Sequence, residues 1–291
     1  MNAAPPPGSW AIRGRSVSLE RPLVMGVLNA TPDSFSDGGL YDAPERALAR
    51  AEEMVAEGAD LLDLGGESTR PGAAAVSPRD EAARILPTLR LLRKRLGVPL
   101  SVDTRRAEVA RAALAEGAEI VNDVSALADP AMGGVVAEAE AGVVLMHMRG
   151  TPETMQRDPR YADVAGEVAD ELAAALERAR AAGIADARVV LDPGIGFAKT
   201  AEHNLELIAR LGELARLGRP LLLGPSRKSF IGKILGGVPA ERRDAGTAAA
   251  CVVGLLHGAR IFRVHDVRIV RQALDVAEAL RRAAPVPAAA P

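Results

Sequence analysis

The chain has 291 residues, 48% of them hydrophobic, and a formal net charge of −2 with acidic and basic residues mixed throughout. That balance argues against a nucleic-acid groove or a polybasic membrane patch. A single cysteine, Cys251, excludes an intramolecular disulfide framework and a multi-cysteine zinc site.

Residues 1–10 are Pro- and Ala-rich and read as a loose tail. They lack a basic start followed by an apolar stretch, so no secretory signal is expected. Ile12–Pro22 is expected to form a small hairpin closing the bottom of the main fold. From there a short apolar run and a longer amphipathic stretch alternate eight times. The runs are Leu23–Ala30, Ala59–Gly65, Pro99–Asp103, Glu119–Val124, Gly142–His147, Arg188–Asp192, Pro220–Leu223 and Ala259–Val264. Short runs rich in Val, Leu and Ile suit strands buried on both faces. The stretches between them, such as Pro44–Glu57 and Arg79–Leu96, carry apolar residues at helical spacing. Several stop at a glycine just before the next run: Gly58, Gly117, Gly183, Gly218 and Gly258. That is the left-handed cap position, where glycine escapes the Cβ penalty. Cys251 falls in the Ala-rich stretch Ala248–Leu256 and reads as a core residue.

Eight βα units predict a single (β/α)8 TIM barrel over residues 11–283, with 284–291 as a second loose tail; an open doubly wound sheet is the lesser alternative. The longest uncharged run near the end, 245–259, is interrupted and falls short of the ~20 residues of a membrane span. The expectation is a soluble cytoplasmic protein with no nucleic acid or membrane partner.

A barrel keeps its chemistry at the C-terminal ends of its strands. Those ends carry Asn29, Asp63, Asp103, Asn122, His147, Asp192, the segment Ser226-Arg227-Lys228-Ser229, and Arg263-Val264-His265-Asp266. Polar residues at one strand end could be helix caps, and Thr104, Asp192 and Ser229 each have that reading. Eight strands doing so together point to a ligand, because unpartnered buried carboxylates are costly. Asp103, Asn122 and Asp192 are rich in acceptors and suit a heterocycle with an amidine-like edge. Arg227, Lys228, Arg263 and His265 make the last two strand ends cationic, suited to anions. Arg263 and His265 alternate by two and are expected on the same strand face. Ser229 opens a helix whose free N–H groups suit a carboxylate or phosphate. His147, between Met146 and Met148, reads as barrel packing, and His203 and His257 as unremarkable helix residues. Gly194 and Gly196 read as turn glycines, since no third glycine completes a dinucleotide fingerprint.

The segments NATPDSFSDGG, DLGGESTRPG, VDT, ND, DPGIGF, SRKS and RVHD, in this order, resemble those of the dihydropteroate synthases. The resemblance spans about residues 11 to 282. It implies a transferase that joins 6-hydroxymethyl-7,8-dihydropterin pyrophosphate to 4-aminobenzoate with Mg2+, by an SN1-like path, in a homodimer. It assigns Asp103, Asn122, Asp192, Lys228 and Arg263 to the pterin. Phe35, Thr69, Pro71, Phe197 and Ser229 go to the aminobenzoate. Asn29, Arg263 and His265 go to the pyrophosphate, with Asn29 also on the metal. Lys228, Arg263, His265, Asp37 and Arg70 are the implied catalytic residues, the last two on closing loops at Thr31–Leu40 and Glu67–Val76. Two rivals share the pterin-binding carboxylates: a catalytically silent paralogue and a methyltetrahydrofolate:corrinoid methyltransferase. The former should have lost a motif residue, and none is clearly missing. The latter needs neither SRKS nor RVHD.

Overall fold

The computed structural model describes residues 8–30, 43–67 and 76–283. Strands β1 (Ser9–Ile12) and β2 (Arg15–Ser18) pair antiparallel through a turn in which Gly14 takes a φ of 75°. Regular structure thus begins inside the predicted 1–10 tail, and the hairpin lies earlier than Ile12–Pro22. The reason is burial: Trp10 and Ile12 alternate onto one face and are removed from solvent. The Trp10 indole N–H donates to the Arg188 carbonyl at 2.8 Å, as a buried indole requires.

The eight predicted runs form the eight strands of a closed parallel barrel: β3 (Leu23–Asn29), β4 (Leu61–Gly65), β5 (Leu100–Asp103), β6 (Ile120–Asp123), β7 (Gly142–Met146), β8 (Val189–Asp192), β9 (Leu221–Leu223) and β10 (Ala259–Val264). Each pairs with the next, and β10 closes on β3 with Arg263 opposite Met25. Around them lie α1 (Ala43–Ala56), α2 (Pro78–Arg95), α3 (Ala107–Ala115), α4 (Met132–Glu138), α5 (Val164–Ala181), α6 (Ala201–Ala209), α7 (Ser229–Ile234), α8 (Asp244–Leu256) and α9 (Val267–Ala283). This is a TIM barrel, with the hairpin as a separate two-stranded sheet.

Local signals set the helix ends. Ser77 caps α2 by accepting from the Asp80 N–H at 3.1 Å, with Pro78 in the first turn and Arg93, Lys94 and Arg95 complementing the dipole in the last. Thr200 and His203 form a reciprocal capping box on α6, which explains His203. All five expected stop glycines take positive φ.

Strand alternation divides the core. Outward residues such as Leu62, Val102, Val121 and Val143 pack against the helices, together with Cys251. Burial pushes the Cys251 thiol well above its usual range, so it stays a protonated core residue. Inward residues Leu61, Ile120, Val144, Val190, Leu222 and Ile261 fill the lower barrel and meet Trp10, Ile12 and Leu19 of the hairpin region. The hairpin closes the bottom, and the interior opens at the other end. Among the described residues no helix is long and apolar enough to cross a membrane.

Candidate active site

At the open end the inward positions become polar. Arg263 of β10 is held by two carboxylates that reach it across the barrel mouth from β4 and β5. Its Nε donates to Asp63 Oδ2 at 2.6 Å, and its Nη2 donates to Asp103 Oδ2 at 2.7 Å. Asp63 Oδ2 also accepts from Asn122 Nδ2 at 2.9 Å. One buried carboxylate therefore fixes both a guanidinium and an amide. Asp192, on β8, accepts from the Gly194 N–H through Oδ1 at 2.7 Å. That is a local turn bond, and it leaves the other oxygen for a ligand. Asp103, Asn122, Asp192, Lys228 and Arg263 line one cleft with Val124, Met146, Ile195, Phe197 and Gly224.

Lys228 follows β9 and caps α7. Its Nζ lies 4.0 Å from the centre of the Phe197 ring, within cation–π range. Gly196 makes room for it: with φ at 81°, a Cβ here would fall 2.8 Å from Lys228 Cδ. Phe197 is buried with Val124, Met146, Met155 and Ala198, forming an apolar wall beside the charged floor.

Asp63, Asp103 and Asp192 share this small volume with two cations, and the proton affinities of Asp103 and Asp192 reflect it. Burial raises Asp192 to about 6, against the pull of the Gly194 N–H, Lys228 and Arg263. Burial also raises Asp103; Arg263 opposes that rise, and Asp63 and Glu81 add to it. Burial and the charge of Arg263 lower Lys228 to about 8, against Asp192 and Asp103. Burial lowers Arg263, but Asp63, Asp103 and Asp192 more than reverse this and keep it charged. Such a floor offers acceptors to a ring rich in N–H groups and a flat guanidinium for stacking, with an apolar wall at one side.

The residues expected at the pterin converge. Asn29 ends β3 beside Gly65 of β4, and its Oδ1 and Asp103 Oδ2 both lie within 4 Å of where a Gly65 Cβ would stand. His265 lies just beyond β10, its Nδ1 2.9 Å from Ser226 Oγ, and is not part of the cleft lining with Arg263. Ser229 is exposed at the first residue of α7. Phe35, Asp37, Thr69, Arg70 and Pro71 lie outside the described residues, as do the first expected closing loop and all of the second except its ends, Glu67 and Val76, where the Val76 N–H donates to the Glu67 carboxylate at 3.1 Å. Arg227 requires a correction. Its φ of 58° turns it away from the cleft, and its Nε and Nη2 each donate to the Asp244 carboxylate at 2.8 Å. It belongs to an ion pair with α8 rather than to the anion side.

Reading the sequence alone leaves Asp63 and Lys199 without roles. Asp63 has a signal: a carboxylate at an inward position of a strand buried on both faces demands a partner. His147 is more than packing, since both ring nitrogens are bonded, to Glu171 and to Lys199.

A wider groove opens at the barrel bottom beside the hairpin, lined by Arg15, Arg21, Asp60, Pro99 and Arg282 among others. Its cations are already paired: Arg15 with Glu119, Arg21 with Asp60 and Arg282 with Glu278. The upper cleft is therefore the candidate.

Comparison with known proteins agrees with that choice. The family described as pterin binding enzyme matches residues 25–265. A dihydropteroate synthase of Synechocystis is 50% identical over 264 residues, covering 90% of this chain and 91% of its own. Two structures of the Xanthomonas albilineans dihydropteroate synthase superpose closely. The one with 4-aminobenzoic acid has a TM-score of 0.90 at 45% identity, covering 96% of this chain and 99% of its own. The one with 7,8-dihydropteroate has a TM-score of 0.87 at 42% identity, covering 95% and 100%.

Proposed function

Because the chain belongs to the dihydropteroate synthases, pterin-binding transferases, we propose that it condenses 6-hydroxymethyl-7,8-dihydropterin pyrophosphate with 4-aminobenzoate. The products are 7,8-dihydropteroate and pyrophosphate. The observation that carries this reading is the convergence of Asp103, Asn122, Asp192, Lys228 and Arg263 in one cleft.

The pterin lies on this floor with its guanidine-like edge toward Asp192 and Asn122. Asp192, ionised above pH about 6, accepts paired N–H groups. Arg263, kept flat by Asp63 and Asp103, stacks on the ring. Lys228 bonds the pterin and faces the aminobenzoate slot, of which Phe197 is one wall. Ser229, at the start of α7, takes the aminobenzoate carboxylate.

The leaving diphosphate lies toward Asn29, Arg263 and His265. Among the described residues no three His, Cys, Asp or Glu side chains gather into a metal cage. The donor set on offer is the Asn29 amide oxygen. It is a hard, neutral ligand that fits Mg2+, which keeps waters and substrate oxygens around it. When bound, Mg2+ supplies charge neutralisation on the leaving diphosphate. Departure of the diphosphate breaks its bond to the pterin methylene and leaves a cation that the electron-rich ring delocalises. Among the described residues the cleft lining carries no Ser, Cys or His to act as a nucleophile, which favours this SN1-like path. The neutral arylamine then forms the new C–N bond and releases a proton. Water would trap the same cation, so Phe197 and its apolar neighbours protect the product as well as shaping the slot.

A cytoplasmic homodimer is part of the same reading. Leu205 of α6, Ile234 of α7 and Leu235 just after it, and Val253 and Leu256 of α8 are exposed, with α6 packed against both α7 and α8. Such apolar surface suits a second copy of the chain.

The test is incubation of the purified protein with Mg2+, the dihydropterin pyrophosphate and radiolabelled 4-aminobenzoate. Labelled dihydropteroate is expected, and it should vanish when the pterin pyrophosphate is omitted. A folded protein that binds pterin yet makes no product would instead be a silent paralogue.

A further inference from the structure

The turn at residues 193–198, immediately after β8, is held from behind by a lysine. Lys199 is 3% exposed. Its ammonium lies 3.1 Å from the Gly194 carbonyl, 3.0 Å from the Phe197 carbonyl and 2.9 Å from His147 Nδ1. An ammonium has three N–H donors and no acceptor, so these partners satisfy it fully. The contact also fixes the histidine. Nδ1 must present its lone pair, so Nε2–H donates to Glu171 at 3.0 Å. Arg149 holds Glu171 in turn at 2.8 Å.

The turn needs such restraint. Ala198 has a φ of 49°, disfavoured for any residue with a Cβ. Its carbonyl accepts from the Tyr161 hydroxyl at 3.0 Å. Gln156 donates to the Gly196 carbonyl at 2.9 Å, and the Gly196 N–H donates to Asn204 at 2.6 Å. The Phe197 N–H donates to the Gly194 carbonyl at 3.1 Å, and Lys199 backs that closure by bonding the carbonyls of both residues.

We propose that Lys199 is a positioning residue for the aminobenzoate side of the site: its ammonium ties the turn shut and sets where Phe197 stands against Lys228. The proposal rests on the assignment of Phe197 to the aminobenzoate wall. Lys199 reaches Asp192 less directly, through its charge and through His147 and Gly194, whose N–H groups bond the Asp192 carbonyl at 2.9 Å and its carboxylate at 2.7 Å. Asp192 is also anchored by its strand. Removing Lys199 should therefore loosen the Phe197 side more than the pterin side.

The environment adds a dependence on pH. Burial lowers Lys199 to about 7; Asp192 and Glu171 oppose this, while Arg149 and Lys228 add to it. His147 and Tyr161 face it as well. Above that value the group keeps only two donors and must release one acceptor.

The experiment is steady-state kinetics of the full chain and of Lys199→Met, varying each substrate across neutral pH. The KM for 4-aminobenzoate should rise about tenfold in the variant, while the KM for the pterin pyrophosphate rises no more than about threefold. The wild-type aminobenzoate KM should rise as pH passes about 7, and Lys199→Met should lose that inflection while keeping the one due to Lys228, near pH 8. A folded variant with an unchanged aminobenzoate KM, or with both KM values raised alike, overturns the proposal. If Lys199→Met does not fold, Glu171→Ala serves in its place. It removes the acceptor from His147 Nε2–H and should raise the same KM about threefold, and no change there is equally fatal. A wild-type protein that makes no dihydropteroate defeats the functional reading itself. A productive wild type with an unaffected variant defeats the proposal alone.

Discussion

Leu61, Ile120, Val144, Val190, Leu222 and Ile261 fill the lower barrel interior. Two residues further on stand Asp63, Asn122, Met146, Asp192 and Arg263 of the same strands, and Gly224 just past the end of β9. A step of two keeps the same face and advances ~6.6 Å along a strand. The alternation that keeps apolar side chains inside below thus delivers polar ones to the same axis above. Geometry is shared between the two layers, and chemistry is not. The lower layer is removed from water and contributes stability. The upper one holds carboxylates at raised proton affinity, a cost tolerated for binding.

The sharpest way to break this division is on β10, where two inward residues belong to different layers. Arg263→Ala should reduce turnover roughly a hundred- to thousandfold, as loss of a key charged donor does. It also leaves Asp63 and Asp103 without their shared cation, so thermal unfolding must be followed alongside the rate. Ile261→Ala should do the reverse. It should cost about 2–5 kcal/mol of stability by denaturant unfolding, with kcat/KM for both substrates within about threefold of wild type. A large catalytic loss from Ile261→Ala would mean that the layers are not separable.

A pH titration tests the cost of the upper layer. Asp192 in the folded chain binds its proton more tightly than in the unfolded chain. Its contribution should therefore raise stability as pH falls through about 6, by up to ~3 kcal/mol. Asp103 acts in the same sense. His147, lowered by burial, acts in the opposite one. The informative quantity is thus the difference between wild type and Asp192→Asn, in which the His147 contribution cancels. Pterin affinity should fall over the same window, because a protonated Asp192 no longer accepts two N–H groups. Stability and binding should move in opposite directions; parallel movement would contradict the assignment of Asp192.

The smallest effect is expected at the bottom. Trp10→Phe removes the indole donor to the Arg188 carbonyl and should cost about 1–2 kcal/mol, with no change in turnover.

These layers explain how much can be read from the sequence. Strands buried on both faces leave uninterrupted apolar runs, so all eight are visible, and so are Asp103, Asn122, Asp192 and Arg263 at their ends. The hairpin is displaced in the sequence reading because only Trp10 and Ile12 mark the buried face of β1, next to a Pro-rich segment. Arg227 is misplaced there because alternation stops at Leu223, where β9 ends, and a left-handed residue then reverses the side chain. Asp63 and Lys199 act through partners distant in sequence. Asp63 meets Arg263 across 200 positions, and Lys199 meets His147 across 52. No local pattern encodes those pairings; barrel closure creates them.

The hairpin that plugs the barrel bottom carries the only tryptophan in the chain. It is sealed from solvent at the end opposite the cleft. Its emission is therefore an optical gauge of plug integrity, indifferent to direct contact with anything that enters the mouth. Excited at the red edge of indole absorption, the protein reports undocking of its own base. A ligand-induced change in that signal would show that occupancy at one end is felt along the whole length of the barrel.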